Sequence, residues 1–318
     1  MVTDSSSAHA LVLTGSLLAA AQRVEGISIA AVVDTGNVDS LSFAWSCVSW
    51  ILLRLFNPGY RKPMPCSSLG MKAHCRKASV PYLAAASTDL SQTDIPANVL
   101  VSIYCLRKFS HAFLQKFDYA VNYHNGPLPA YRGRLATNWE IYYGEPRSGF
   151  TFHRLTEGID EGNVLAAGSV SGDGSAYKFQ LERLKTYAAA TLWPDVIGKI
   201  KHRDEGTKQC GLPRNYTRQT LRVIREIDDP ASITLYDLER RIRCFEFVRI
   251  RVNGRVLPVS AIKASAGGSR FDVVTADGAK VRAVRFNHLP YWLYRLGQLL
   301  TRMRAVAWEP LRRLKGSS

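Results

Sequence analysis

Residues 10–33, ALVLTGSLLAAAQRVEGISIAAVV, decide how the chain is read. Two short apolar runs, Ala10 to Thr14 and Ile27 to Val33, flank the helix-favouring LLAAAQR that follows Gly15. Continuous apolar runs alternating with helical segments mark a parallel sheet covered on both faces, so the pattern predicts strand, helix, strand at the start of a doubly wound, mostly parallel α/β sheet. The alternation continues outward. Met71 to Lys77 reads as helix, Val80-Pro81-Tyr82 as extended, Val99 to Tyr104 as strand, HAFLQKF as helix and Tyr119 to Asn122 as strand. Gly149 to Leu155 and Val164 to Val170 follow as strands. A long helix is predicted from about Ala176 to Ile200, with Leu181, Leu184, Ala188 and Leu192 on one stripe.

Length and composition bound what surrounds that sheet. The chain has 318 residues, enough for two domains or one with an elaboration, and its 46% hydrophobic and 21% charged residues are those of a globular protein. No GxGxxG follows the first run, which removes a dinucleotide fingerprint. The apolar run Phe43 to Leu53 falls short of the ~20 residues of a membrane-spanning helix. The first residues carry an acid and no base ahead of their apolar stretch, the wrong charge for a secretory signal, and the expected location is cytoplasmic. Cys47, Cys66, Cys75, Cys105, Cys210 and Cys244 show neither CxxC pairs nor metal-ligand spacing, so they read as reduced, structural thiols with no metal site.

The last third differs in kind. Lys201 to Arg214 is a polar linker, Leu235 to Phe245 a short helix, and Phe247 to Val252, Arg255 to Ile262, Phe271 to Thr275 and Lys280 to Phe286 short strands with hairpin turns at Asn253-Gly254 and Asp277-Gly278. The expected organisation is a catalytic α/β domain over 1–200, a linker over 201–214, a small antiparallel β subdomain over 215–290 and a basic amphipathic helix over 291–318. Of the formal charge of +16, residues 213–318 hold 21 basic against 9 acidic side chains. Such a surplus suits nucleic acid, nucleotide-linked substrates or an anionic membrane surface without choosing among them. The segment 291–314 has two readings: packing on its own protein, or peripheral contact with the inner membrane surface. Leu41 to Phe56 likewise reads as a core helix with a loop or as an exposed patch for membrane or partner contact.

The chemistry lies in residues 122–162, NYHNGPLPAYRGRLATNWEIYYGEPRSGFTFHRLTEGIDEG. If Tyr119 to Asn122 is a parallel strand, Asn122 and His124 sit at its carboxyl end, where open α/β sheets place ligands. A carboxamide and an imidazole can hold the oxyanion formed when a carbonyl is attacked, and an Asp orients the imidazole and favours its charged form. Each residue alone reads equally as a strand cap or a turn residue.

Taken together, these residues resemble the folate-dependent formyltransferase family. The family's Asn-x-His matches Asn122-Tyr123-His124, its next loop matches Gly126-Pro127-Leu128-Pro129 with Tyr131-Arg132-Gly133, and its catalytic Asp matches Asp160. The loop and Ala136 to Trp139 are closer to the amino-sugar and peptide-synthetase branches than to methionyl-tRNA formyltransferase. The resemblance implies a Rossmann-like fold and an enzyme that uses 10-formyltetrahydrofolate to N-formylate a primary amine of a small anionic acceptor, such as a nucleotide-linked amino sugar. Methionyl-tRNA formylation and a noncatalytic folate- or partner-binding protein are the alternatives. It implies Asn122, His124 and Asp160 as catalytic, His124 being protonated and its pKa raised by Asp160. It implies a folate site built from Cys105, Leu106, Arg107, Lys108, Gly126, Leu128, Pro129, Thr156, Glu157, Gly158 and Ile159. Arg107 and Lys108 read either as contacts to the folate tail or an anionic acceptor, or as solvated charges.

Overall fold

The computed structural model describes residues 1–36, 40–57, 60–85, 90, 95–172, 174–245, 247–289 and 292. Among these, β1 (Val2–Thr3), β2 (Val32–Asp34), β3 (Tyr82–Ala84), β4 (Val99–Ile103) and β5 (Tyr119–His124) run parallel. β6 (Arg132–Gly133) stands apart from them, and β7 (Arg147–Arg154) and β8 (Val164–Ser171) complete the sheet as an antiparallel edge in the order β3-β2-β1-β4-β5-β7-β8. The doubly wound, mostly parallel sheet expected from the sequence is present.

Its first helix overturns one expectation. Ala10 to Thr14 is not a strand but the opening of α1 (Ala8–Ala21). The Ser7 side chain accepts from the Ala10 amide as an N-cap, and Ala10, Leu13, Thr14, Leu17, Leu18 and Ala21 are buried at helical spacing. A short apolar run does not distinguish a buried strand from a helix packed along one face, and here the cap decides. The strand preceding α1 is the two-residue β1.

α2 (Ser40–Phe56) buries Leu53 against Tyr60 and Phe286, while Val48, Ile51, Leu55 and Phe56 stay exposed. One face of this helix is therefore packed and the other is open. α3 (Ser68–Lys77) packs on α1, α4 (His111–Leu114) buries Phe113 in a cluster with Leu100 and Ala120, and α5 (Ala136–Tyr143) follows the loop after β5.

The predicted single helix over 176–200 is two, α6 (Lys178–Ala190) and α7 (Trp193–Lys201). Pro194 has no amide proton to continue the first ladder, and it stands where a helix start tolerates it. The stripe also shifts. Leu184 is 42% exposed, whereas Leu181, Lys185, Thr186 and Ala189 face inward. Trp193, fully buried, closes the core against Phe152 and donates from Nε1 to the Leu13 carbonyl.

β9 (Asn215–Tyr216) pairs with β6, and α8 (Arg218–Ile224) follows. A second sheet then forms from β10 (Glu226–Ile227), β11 (Val248–Val252), β12 (Arg255–Ala264), β13 (Asp272–Val274) and β14 (Lys280–Arg285), in the order β10-β11-β12-β14-β13. Asn253 and Gly254 both have positive φ and join β11 to β12, as a two-residue hairpin requires. α9 (Leu235–Cys244) buries Leu238 and Ile242 on this sheet. It is tied to α5, because Asn138 Nδ2 donates to the Cys244 carbonyl at 2.5 Å and Cys244 Sγ donates to the Asn138 carbonyl.

All six cysteines are free thiols. No helix among the described residues is long and apolar enough to cross a membrane. The helix expected over 291–318 lies outside the described residues, apart from the exposed Trp292.

Candidate active site

Asn122 and His124 stand two apart on β5, so their side chains leave the same face at the carboxyl edge of the sheet. β4 ends beside them, with Ile103 opposite Tyr123, and β7 places His153 opposite Asn122. Asn122 Nδ2 donates to His153 Nε2 at 3.1 Å, and His153 Nδ1 donates to the Arg154 carbonyl.

His124 is 7% exposed and wedged between two acceptors. Its Nε2 lies 2.6 Å from the Tyr131 carbonyl and its Nδ1 3.3 Å from Asp160 Oδ2. The chain can turn so tightly after β5 because residue 126 is glycine. A Cβ there would lie 2.5 Å from that of Ala136 and 2.9 Å from His124 Nε2. Gly126 thus shapes the site by its lack of a side chain.

Asp160 comes from the turn between β7 and β8 and has φ +54°. A second glycine, Gly162, lets this turn close, since a Cβ there would fall 1.9 Å from the Arg154 carbonyl oxygen. The Asp160 carboxylate reaches three groups. Oδ2 accepts from the Gly133 amide at 2.8 Å and faces His124, and Oδ1 lies 3.4 Å from His153 Nε2. Burial raises the pKa of this carboxyl, but His124, His153 and the Gly133 N–H outweigh it and hold the group down at about 2.

The histidine corrects an expectation. Burial pulls the His124 pKa below its ordinary value, and the opposing pull of Asp160 does not reverse this. A neutral ring donates from Nε2 to Tyr131 and leaves Nδ1 bare before a carboxylate. Protonation converts that contact into a charge-assisted bond, so the surroundings are built to receive a proton there.

Beneath this trio lies a buried ion pair. Lys185 Nζ donates to Glu140 Oε2 at 2.9 Å, to Thr137 Oγ1 and to the Asn125 carbonyl, while Glu140 also accepts from Ser148 Oγ and the Gly149 amide. Both side chains are at most 1% exposed. Lys185 fixes the backbone just after His124, and Glu140 anchors the start of β7.

The residues expected to hold a folate divide into two loops and a turn. Cys105, Leu106, Arg107 and Lys108 follow β4, and Thr156, Glu157, Gly158 and Ile159 follow β7. Leu106 and Ile159 are 59% and 48% exposed, so each loop presents an apolar side chain. Arg134 holds the Leu106 carbonyl, and His111 pairs with Glu157. Arg107 donates to the Ala85 carbonyl, whereas Lys108 is exposed. In the turn after β5, the Leu128 amide donates to Thr151 Oγ1, and the Pro129 carbonyl accepts from the Arg214 amide. These bonds fix the turn without placing either residue against the trio.

Two residues of the site went unnamed in the sequence reading. His153 was visible only as a polar ring in an otherwise apolar strand. Gln209 lay in the stretch read as a spacer, yet its Nε2 donates to the carbonyls of Asp160 and Gly162 and its Oε1 accepts from Arg132.

Residues 77–177 match the formyl transferase family. The GDP-perosamine N-formyltransferase of Brucella melitensis biotype 1 is 34% identical over 100 residues, which are 31% of this chain and 39% of that protein. The chain thus spans well under half the length of the curated relatives it matches. The structure of the N-formyltransferase from Helicobacter canadensis, in complex with folinic acid and dTDP-3-aminofucose, superposes with a TM-score of 0.59 at 16% identity, covering 90% of this chain and 97% of that one. WlaRD, a sugar 3N-formyl transferase in the presence of dTDP and 5-N-formyl-THF, superposes with a TM-score of 0.58 at 16% identity, covering 91% and 97%. These likenesses establish the formyltransferase fold.

Proposed function

We propose that the protein is an N-formyltransferase that moves the formyl group of 10-formyltetrahydrofolate to a primary amine of a small anionic acceptor, of the nucleotide-linked amino-sugar class. One observation carries the reading. Asn122, His124 and Asp160, up to 38 positions apart in the sequence, converge at the carboxyl edge of the sheet inside the segment that matches the formyl transferase family.

The loops fit a folate. A pterin needs apolar flanks and backbone hydrogen-bonding groups, and the loops after β4 and β7 offer exposed Leu106 and Ile159 together with the backbone of Cys105 to Lys108 and Thr156 to Ile159. Gly126, Leu128 and Pro129 border the same edge. The donor supplies an activated one-carbon acyl group.

The protein's residues supply the rest. Asn122 Nδ2 serves as an amide donor for negative charge developing on the attacked carbonyl oxygen, and His153 aims that amide. His124, neutral at rest, takes the proton shed by the attacking amine at Nδ1, where Asp160 stabilises the imidazolium that results. The Gly133 amide and Gln209 keep Asp160 in place.

The test is to incubate the protein with 10-formyltetrahydrofolate and a panel of nucleotide-linked amino sugars, following tetrahydrofolate release and acceptor mass. The expected result is the mass gain of one formyl group on a single acceptor class. Release of tetrahydrofolate with no acceptor gaining mass would show hydrolysis instead.

A further inference from the structure

Among the described residues, a large cavity lies at the edge of the main sheet opposite the trio. Its volume is about 760 Å³, and it runs through the sheet. Leu17 and Ile197 line it from the core cluster on one face, Phe113 and Phe117 from the cluster on the other, and Ala31 and Leu100 from the strands between.

Its place is that of a strand. β1 is central, lying between β2 and β4, yet it pairs with them only through Val2 and Thr3. β4 starts at Val99, whereas its pairing with β1 begins at Ser102. On the other side, Ile27 to Ala31 has the composition of a buried strand but none of its pairing, and β2 begins at Val32. Ala30 is exposed, and Ile29, Val99 and Val101 are half-buried, in the middle of a parallel sheet. Parallel strands flanked by helices are normally covered on both faces and paired on both sides.

At the inner end of the slot, the Met1 amine donates to the Ala31 carbonyl at 2.8 Å and the Met1 carbonyl accepts from Val33. The backbone is therefore already in register. Burial pulls that amine down to about 6. A peptide N–H at the same atom makes the same bond without a buried charge.

We propose that the slot is the binding site of an extended apolar segment of three or four residues directly preceding Met1 in the same polypeptide, continuing β1 parallel to β2 and β4. Continuing the register sets the residue before Met1 opposite Ala31 and Leu100, and the one before that opposite Ala30 and Val99. At about 3.3 Å per residue, four residues span about 13 Å, the length of chain from Ser28 to Ala31 that lies beside the slot. Alternate side chains of the segment enter the two core clusters, so apolar residues are required in succession.

The test begins with the protein isolated from its natural source, whose N-terminal peptide is identified by mass spectrometry. At least three predominantly apolar residues ahead of Met1 are expected, and an N-terminus at Met1 would overturn the proposal. In parallel, chains carrying Val-Ile-Val or Gly-Ser-Gly immediately before Met1 are compared in thermal unfolding and hydrogen exchange. Val-Ile-Val should raise the midpoint by about 5 °C or more and slow exchange of the Val101 and Ala31 amides at least tenfold, because both strands gain a partner. Gly-Ser-Gly should do much less. Equal behaviour of the two extensions overturns the idea of a strand site.

Discussion

At the scale of single residues, the site is an arrangement of donors and acceptors around one imidazole. Replacing Asn122 or His124 with alanine should each lower kcat by on the order of 100-fold or more, with circular dichroism and unfolding cooperativity unchanged. Because burial depresses the His124 pKa, the acid limb of kcat/KM should inflect below the ordinary histidine value, once the acceptor's own amine has been titrated separately. Loss of activity on a basic limb instead, as His124 gives up its proton, would mean that the imidazolium is the working form. Asp160 makes a separate, thermodynamic prediction. Its folded pKa of about 2 lies below the ordinary 3.8, so the stability it contributes is fully present above the ordinary value and is lost as pH falls through the folded one. Asp160→Asn should cost about 2 kcal/mol in urea unfolding at pH 6, a gap that narrows as pH is lowered toward 3. Asn122, His124 and Asp160 could be singled out in the sequence only together, through their resemblance to the formyltransferase motif, and the structure brings them to one edge of the sheet. His153 could not be, since its role comes from the β5–β7 register, and an antiparallel pairing is invisible in a single strand's composition.

At the scale of elements, the helices decide which side chains the site rests on. α6 turns Lys185 inward to Glu140 of α5, and the pair ties α5, α6, the loop after β5 and the start of β7 together. The sequence pattern missed this, because a lysine breaks an apolar stripe and shifted the predicted face onto Leu184. α1 was misread for a related reason, in that a one-sided helix with small residues looks like a buried strand over five positions. The breaks at Pro194 and the hairpin at Asn253-Gly254 follow from backbone chemistry, and of the two the hairpin was read correctly. The buried pair supports a double-mutant test. Lys185→Met leaves Glu140 charged and uncompensated and should cost about 3–5 kcal/mol, whereas Lys185→Met with Glu140→Leu should recover a substantial part of that loss. Urea denaturation of the four species measures it, and additive losses would show that the two side chains act independently.

At the scale of the whole molecule, charge bears on the choice of acceptor. Residues 213–318 carry 21 basic and 9 acidic side chains, a surplus that polyanions and small anions both find attractive. The second sheet spends part of its basic surface internally, since Arg249, Arg251 and Arg282 pair with Glu226, Asp228 and Asp272. The two acceptor classes differ sharply in their response to salt. A nucleic acid held through 6–10 phosphate contacts loses about 10³–10⁵ in affinity between 50 and 200 mM salt, because counterions are released on binding. An acceptor with one or two phosphates displaces few ions, and its attraction is screened over a Debye length of about 10 Å. KM for a nucleotide-linked amino sugar should therefore rise only a few-fold over that range, and bulk tRNA should inhibit weakly at the upper end of it. A KM that climbs a thousandfold, or strong competition by tRNA at 200 mM salt, would transfer the acceptor assignment to nucleic acid while leaving the roles of Asn122, His124 and Asp160 intact.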